Sequence, residues 1–271
     1  MIHSINHQTV FDYETMPQSI VQRLHLTPLS TTQQHVIDWD IQVNGGIIVF
    51  ETADYHGNRV HLCNQYSSAQ KIQINCLGQV NVIDTNGIVG KHDNDVPIAM
   101  FKNATSLTLP GPRLRQLGKD MNKLMRSNHD DEISALHELS ARVSAYIKYA
   151  KGKTDTSTTA EMAMEIGAGV CQDHVHAFIA VARYLGFGAR YVSGYLLMHD
   201  KKIQNASHAW AEVFTKGLGW VGFDISNGIS PDDRYVKLGS GFDYTDVAPV
   251  SGVRFGSGEE KIATQIMISQ Q

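Results

Sequence analysis

A chain of 271 residues, 42% hydrophobic and 18% charged, can bury a sizeable core, is too apolar to stay disordered, and exceeds the roughly 100–200 residues of one typical domain. Its formal net charge is −4, and no stripe of Lys and Arg could neutralise a phosphate backbone, which argues against nucleic acid as a partner. No stretch approaches the ~18 apolar residues of a membrane helix, and the N-terminal text lacks a basic region followed by an apolar run, so a cytoplasmic protein without a membrane partner is expected.

From residue 2 to about 90 the apolar positions recur with the period of two that marks strands. Ile37, Trp39, Ile41 and Val43 alternate with polar residues, and Asn44-Gly45-Gly46 and His56-Gly57-Asn58 supply turn chemistry between runs. The pattern predicts an antiparallel β-sandwich-like domain over residues 1–95. Cys63 and Cys76 fall on its alternating faces, where a small buried hydrophobe is the default role; with Cys171 they make three cysteines, too few and too odd in number for a disulfide framework.

Leu109-Pro110-Gly111-Pro112 then punctuates the chain, and residues 96–271 form the second predicted domain, of α+β class. Leu114, Leu117, Met121 and Leu124 mark one helix. Ile133, Leu136, Leu139, Val143 and Ile147 mark a second, with Asp130 and Asp131 suited to its positive end. Thr158 and Glu161 suggest a capping box for a third. A fourth is expected to start at or just before Cys171 and to stop near Leu185, ahead of Gly186 and Gly188. Period-two text returns at 190–196, 207–213 and 220–224, and a last strand is expected through Ile262, Thr264, Ile266 and Ile268.

Three of these positions together suggest chemistry. Gly167-Ala168-Gly169-Val170-Cys171 puts a thiol after a flexible turn at a helix start, where free N–H groups favour a thiolate and can stabilise an oxyanion. His208 shares a strand face with Trp210 and Glu212. Asp224 lies 16 residues further on, across a glycine-bearing turn whose midpoint is Lys216, so a hairpin places it opposite or nearly opposite His208, within reach of an imidazole N–H. A Cys171 nucleophile, a His208 base and an Asp224 orienting group follow from that arrangement. Trp210 and Gln172 are the candidate substrate-contacting residues, although core packing is the default for Trp210 as for Trp220. Cys171-x-x-His174 has ligand-like spacing but no second ligand pair, and Asp93-Asn94-Asp95 and Asp232-Asp233 do not continue into a calcium loop, so no metal and no cofactor is expected.

The blocks Gly169-Val170-Cys171-Gln172-Asp173, Gly188 to Tyr195, Ser207-His208-Ala209-Trp210-Ala211-Glu212-Val213 and Gly219-Trp220-Val221-Gly222-Phe223-Asp224, in that order, resemble the signature blocks of bacterial transglutaminase-like proteins. Asp54-Tyr55-His56-Gly57-Asn58 resembles the family's N-terminal hairpin, and Asp243 to Pro249 its C-terminal block. The resemblance implies a papain-like, transglutaminase-like core with a Cys, His, Asp triad at Cys171, His208 and Asp224. Two positions depart from the family pattern: Ile225-Ser226 stands for the usual Pro-Thr, and Phe242 for an arginine.

The expected function is cysteine-dependent hydrolysis, or acyl transfer, at a peptide or amide bond, with a peptide or protein as substrate partner. A protein-glutamine transglutaminase and a non-catalytic peptide-binding module are the alternatives.

Overall fold

The computed structural model describes residues 1–66, 69–93, 95–127, 131–198 and 203–270. Its first half is strands: β1 (Ile2–Tyr13), β2 (Ser19–Thr27), β3 (Gln34–Asn44), β4 (Gly46–Ala53), β5 (Arg59–Gln65), β6 (Lys71–Val82) and the short β7 (Ile88–Gly90). Alternation decides their faces. In β6, Ile72, Ile74, Cys76, Gly78, Val80 and Val82 are buried while the residues alternating with them are not. The run expected to alternate from Ile37 is corrected at one position: a bulge between Val36 and Asp38 leaves Ile37 unpaired and exposed, while Val36, Trp39, Ile41 and Val43 pack on the core. One extra residue in a strand reverses the facing of what precedes it.

The second half brings the helices α1 (Pro112–Ser127), α2 (Glu132–Tyr146), α3 (Ala160–Ile166) and α4 (Cys171–Tyr184), with the two-residue strands β8 (Lys148–Tyr149) and β9 (Ala168–Gly169) before α4. Then follow β10 (Gly188–Leu196), β11 (His208–Thr215), β12 (Gly219–Phe223), β13 (Tyr235–Gly241), the one-turn α5 (Tyr244–Val247), β14 (Val250–Phe255) and β15 (Glu260–Gln270). Asp131 caps α2 by accepting the Ser134 N–H at 3.0 Å; Asp130 lies outside the described residues. The capping box expected at Thr158 and Glu161 does not form. Thr159 is the cap of α3, because the Thr158 hydroxyl is taken by the Asp155 N–H. Glu161 instead accepts the Arg113 and Leu114 N–H groups at 2.8 and 3.1 Å, capping α1 from a neighbouring helix. Glu161→Ala should therefore lower the unfolding free energy by about 1–2 kcal/mol in urea titration, the usual worth of a lost cap; a change below a few tenths would contradict this role.

Among the described residues three antiparallel sheets form, with strand orders β15-β1-β6-β3, β14-β2-β5-β4 and β13-β10-β11-β12-β7. The first two pack face to face: Ile5, Phe11, Ile72 and Ile74 of one share a core with Ile20, Leu24, Leu26 and Cys63 of the other. Sheet membership crosses residue 95 in both directions, since β7 joins the third sheet while β14 and β15 pair with β2 and β1. On the third sheet lies α4, buried from Gln172 to Arg183 and enclosed by α1, α2 and α3. Ala209, Ala211 and Val213 of β11 face this helical core, which leaves His208, Trp210 and Glu212 for the other face. No helix among the described residues is long and apolar enough to cross a membrane.

Candidate active site

Cys171 is the first residue of α4, at the position predicted for it. Gly167 takes a left-handed φ of 69° as the C-cap of α3 and turns the chain into β9. The Asp173 carboxylate then accepts the Val170 N–H at 2.7 Å and the Thr154 hydroxyl at 2.7 Å, fixing the loop at the helix start. As the opening residue of a helix, Cys171 has an N–H with no intrahelical acceptor, free to meet a developing oxyanion. Of the three thiols, Cys63 and Cys76 are buried and Cys171 is partly accessible. Burial pushes Cys63 up to about 11 and Cys76 up to about 12, which makes both inert near neutral pH.

The hairpin β11–β12 supplies the other two groups. Its register pairs Thr215 with Gly219 and Ala211 with Phe223, so the turn centres on Gly217, one residue beyond the expected midpoint, with Gly217 and Gly219 at φ 86° and 76°. His208 consequently meets Asp224 diagonally, and its Nε2 lies 2.6 Å from Asp224 Oδ2. Asp224 is fully buried, and the same oxygen accepts the Tyr235 hydroxyl at 2.7 Å and Asn227 Nδ2 at 2.7 Å, while Oδ1 accepts the Asn227 N–H at 3.1 Å. Burial works against the charge of Asp224, but the bonds from His208, Asn227 and Tyr235 outweigh it and hold the carboxyl below its ordinary range.

Burial likewise disfavours a charged His208. Its hydrogen bonds to Asp224 and Cys171, and their negative charges, reverse that and raise it to about 10. With Nε2 committed to Asp224, Nδ1 is the ring atom left for the thiol. The arrangement sets a ring whose protonated form is favoured between a carboxylate and a sulfur, a geometry suited to handing a proton to a leaving amine.

Of the two residues expected to meet substrate, Trp210 is 3% exposed and its ring lies 6.5 Å from that of His208 and edge-on to Tyr235. It reaches this position because Gly194, paired with His208, has no side chain: a Cβ there would fall 2.6 Å from the indole. Trp210 is thus first a packing wall behind the imidazole. Gln172 is 9% exposed, and its Nε2 reaches the Thr156 carbonyl at 3.4 Å. Glu212 is in a buried ion pair with Arg190 and Lys237, and Arg190 lies over the Trp220 ring. His174 bonds Ser226 Oγ and the Ile147 carbonyl, and fully buried His176, pushed down to about 4 by burial, accepts the Tyr244 N–H. Among the described residues, no group of three or more His, Cys, Asp or Glu could hold a metal. Phe242, where an arginine was expected, packs on His56 and Phe101.

Sequence reading missed Tyr235, Asn227 and Tyr149. Asn227, three residues after a buried aspartate, carries an Asx-type signal that could have found it. Tyr235 comes from a different strand and had no local signal. Tyr149 is half-exposed on β8, which pairs with β9 just before Cys171, and burial together with the charges of Cys171 and Asp224 raises its hydroxyl.

Residues 119–225 match the model of the transglutaminase-like superfamily core, and residues 3–81 match that of the bacterial transglutaminase-like N-terminal region. The chain thus carries the core of the transglutaminase-like superfamily, preceded by the N-terminal region of its bacterial members. Relatives spanning almost the whole chain include uncharacterized proteins of Mycobacterium leprae, 26% identical over 97% of this chain and 97% of that one, and of Mycobacterium tuberculosis H37Rv, 25% identical over 96% and 90%. In structure, the superfamily fold is shared with a crystallised chain from Cytophaga hutchinsonii, with a TM-score of 0.79 at 20% identity, covering 99% of this chain and 90% of that one. Cys171, His208 and Asp224 all lie within the matched core.

Proposed function

We propose that the protein is a cysteine-dependent hydrolase of peptide or amide bonds, with Cys171 as nucleophile, His208 as acid and base, and Asp224 as orienting carboxylate. The observation that carries this reading is the 2.6 Å bond from His208 to Asp224, made on Nε2 so that the opposite ring nitrogen serves the thiol. The match to the superfamily core supports it, and the Cytophaga hutchinsonii chain is itself described as a candidate cysteine protease.

The Cys171 thiolate attacks the amide carbonyl carbon, and the oxyanion forms beside the Cys171 N–H. As the tetrahedral adduct collapses, the C–N bond breaks and imidazolium His208 gives its proton to the departing amine. Neutral His208 then takes a proton from water as that water attacks the thioester. Thiolate leaves, His208 is again imidazolium, and a carboxylic acid is released. An amine in place of water would make the same acyl-enzyme a cross-linking donor.

The test is turnover of a peptide library by wild type and by Cys171→Ala, with and without an added primary amine. Amine-independent cleavage by wild type only is expected. Incorporation of the amine in preference to hydrolysis would replace hydrolysis by transamidation, and equal turnover by Cys171→Ala would overturn the thiol mechanism altogether.

A further inference from the structure

The surface beside the nucleophile carries a charge opposite to that of the whole chain. From the first residue of β8 towards α3, Lys148, Lys151 and Lys153 fall within six residues, all exposed, in a protein of net charge −4. None of the three is in an ion pair among the described residues. Opposing charge in the segment comes from Asp155, whose Oδ1 accepts the N–H and hydroxyl of Ser157.

The segment is tied at both ends to the residues flanking Cys171. At one end Tyr149 pairs with Gly169, and the Ala150 N–H donates to the Gly169 carbonyl at 2.7 Å. At the other, the Thr154 hydroxyl donates to Asp173 at 2.7 Å. Gly169 and Asp173 stand two residues before and two after the nucleophile. Between these anchors the loop projects: Gly152 adopts φ +73° with nothing within 4 Å of where its Cβ would be. The loop is thereby tied to both flanks of Cys171, and the field of exposed lysines on it is felt over about one Debye length, roughly 8 Å at physiological salt.

We infer that the substrate is an acidic peptide, with carboxylates within a few residues of the scissile amide lying along the Lys148–Lys151–Lys153 loop. This inference rests on the hydrolytic reading above. Its physical content is a local positive potential that concentrates anionic substrate and raises kcat/KM in a salt-dependent way.

Two readouts test it, one of which needs no turnover. The first is the ratio of Cys171 alkylation rates by iodoacetate, an anion, and iodoacetamide, its neutral analogue, measured in wild type and in K148E/K151E/K153E. The ratio should fall about 10-fold in the variant at low ionic strength and converge on the wild-type value in about 0.5 M salt. The second is cleavage of paired peptides sharing one amide and flanked by Glu or by Lys. Wild type should favour the Glu-flanked peptide about 10-fold, and the variant should favour the Lys-flanked one. An unchanged alkylation ratio, or a wild-type preference for the Lys-flanked peptide, would overturn the inference. A Lys-dependent alkylation ratio with neither peptide cleaved would support the charged surface while overturning hydrolysis of such peptides.

Discussion

Replacing His208 by alanine is expected to lower kcat on a peptide substrate by about 10⁴-fold, near 5.5 kcal/mol of barrier. The size follows from the two proton transfers that one ring performs, to the leaving amine and from the attacking water, each of which typically contributes 10²–10⁴-fold. It also follows from the loss of the cation that faces Cys171. Alkylation of Cys171 by iodoacetamide at pH 7 should slow about 10-fold in the same variant, because the thiolate loses its counter-charge. The substitution leaves Asp224 buried without its largest partner, so His208→Gln, which can still donate to Asp224, separates lost chemistry from lost folding. Activity within 10-fold of wild type in both variants would remove His208 from the reaction.

The second large effect concerns stability and its pH dependence. Asp224→Asn should cost about 3–5 kcal/mol near pH 7, since it leaves a buried His208 without the carboxylate that makes its charge tolerable. The sign with pH is fixed by the shift of His208 from its ordinary 6.5 to about 10. Between those values the folded protein holds a proton that the unfolded chain has released, so the pair's stabilisation is complete below about 6.5 and is lost as pH rises through about 10. Asp224 contributes in the opposite direction, its share being lost on acidification through its lowered range. Urea titrations of wild type and Asp224→Asn from pH 6 to 10.5 therefore should converge toward alkaline pH. Other titrating groups, Lys237 among them at about 8, are common to both proteins and cancel in the difference. Curves that stay parallel would show that the buried pair does not carry the proton assigned to it.

The placement of the nucleophile was local and therefore legible. A glycine-bearing turn before a cysteine predicts a helix start, and α4 begins at Cys171. The hairpin that joins His208 to Asp224 was legible too, because two strands and one turn lie within 17 residues. Its turn centre lies one residue later than the spacing suggests, a register shift of two residues: the positive φ of both Gly217 and Gly219 sets the turn geometry, and spacing alone cannot choose between such turns. The bulge at Ile37 escaped for the same reason, since alternation in text assumes an unbroken ladder.

By itself the sequence indicated most element types, a strand-rich first part followed by helices, the superfamily resemblance and the three residues proposed for the site. The element types and the hairpin follow from periodicity, caps and turns, which act over a few residues, whereas the superfamily follows from the resemblance of the ordered motif blocks. Tertiary structure alone decided that β14 and β15 return to the first two sheets, that Glu161 caps a different helix, and that Tyr235 shares an oxygen of Asp224 with His208. Those contacts join residues distant in the chain, and a buried polar group takes whichever partner packing brings to it rather than the one its neighbours advertise. The same physics decided the surroundings of Cys171. Lys148, Lys151 and Lys153 carry no local signal in the sequence, and it is Gly169 and Asp173 that hold their loop against the nucleophile's helix.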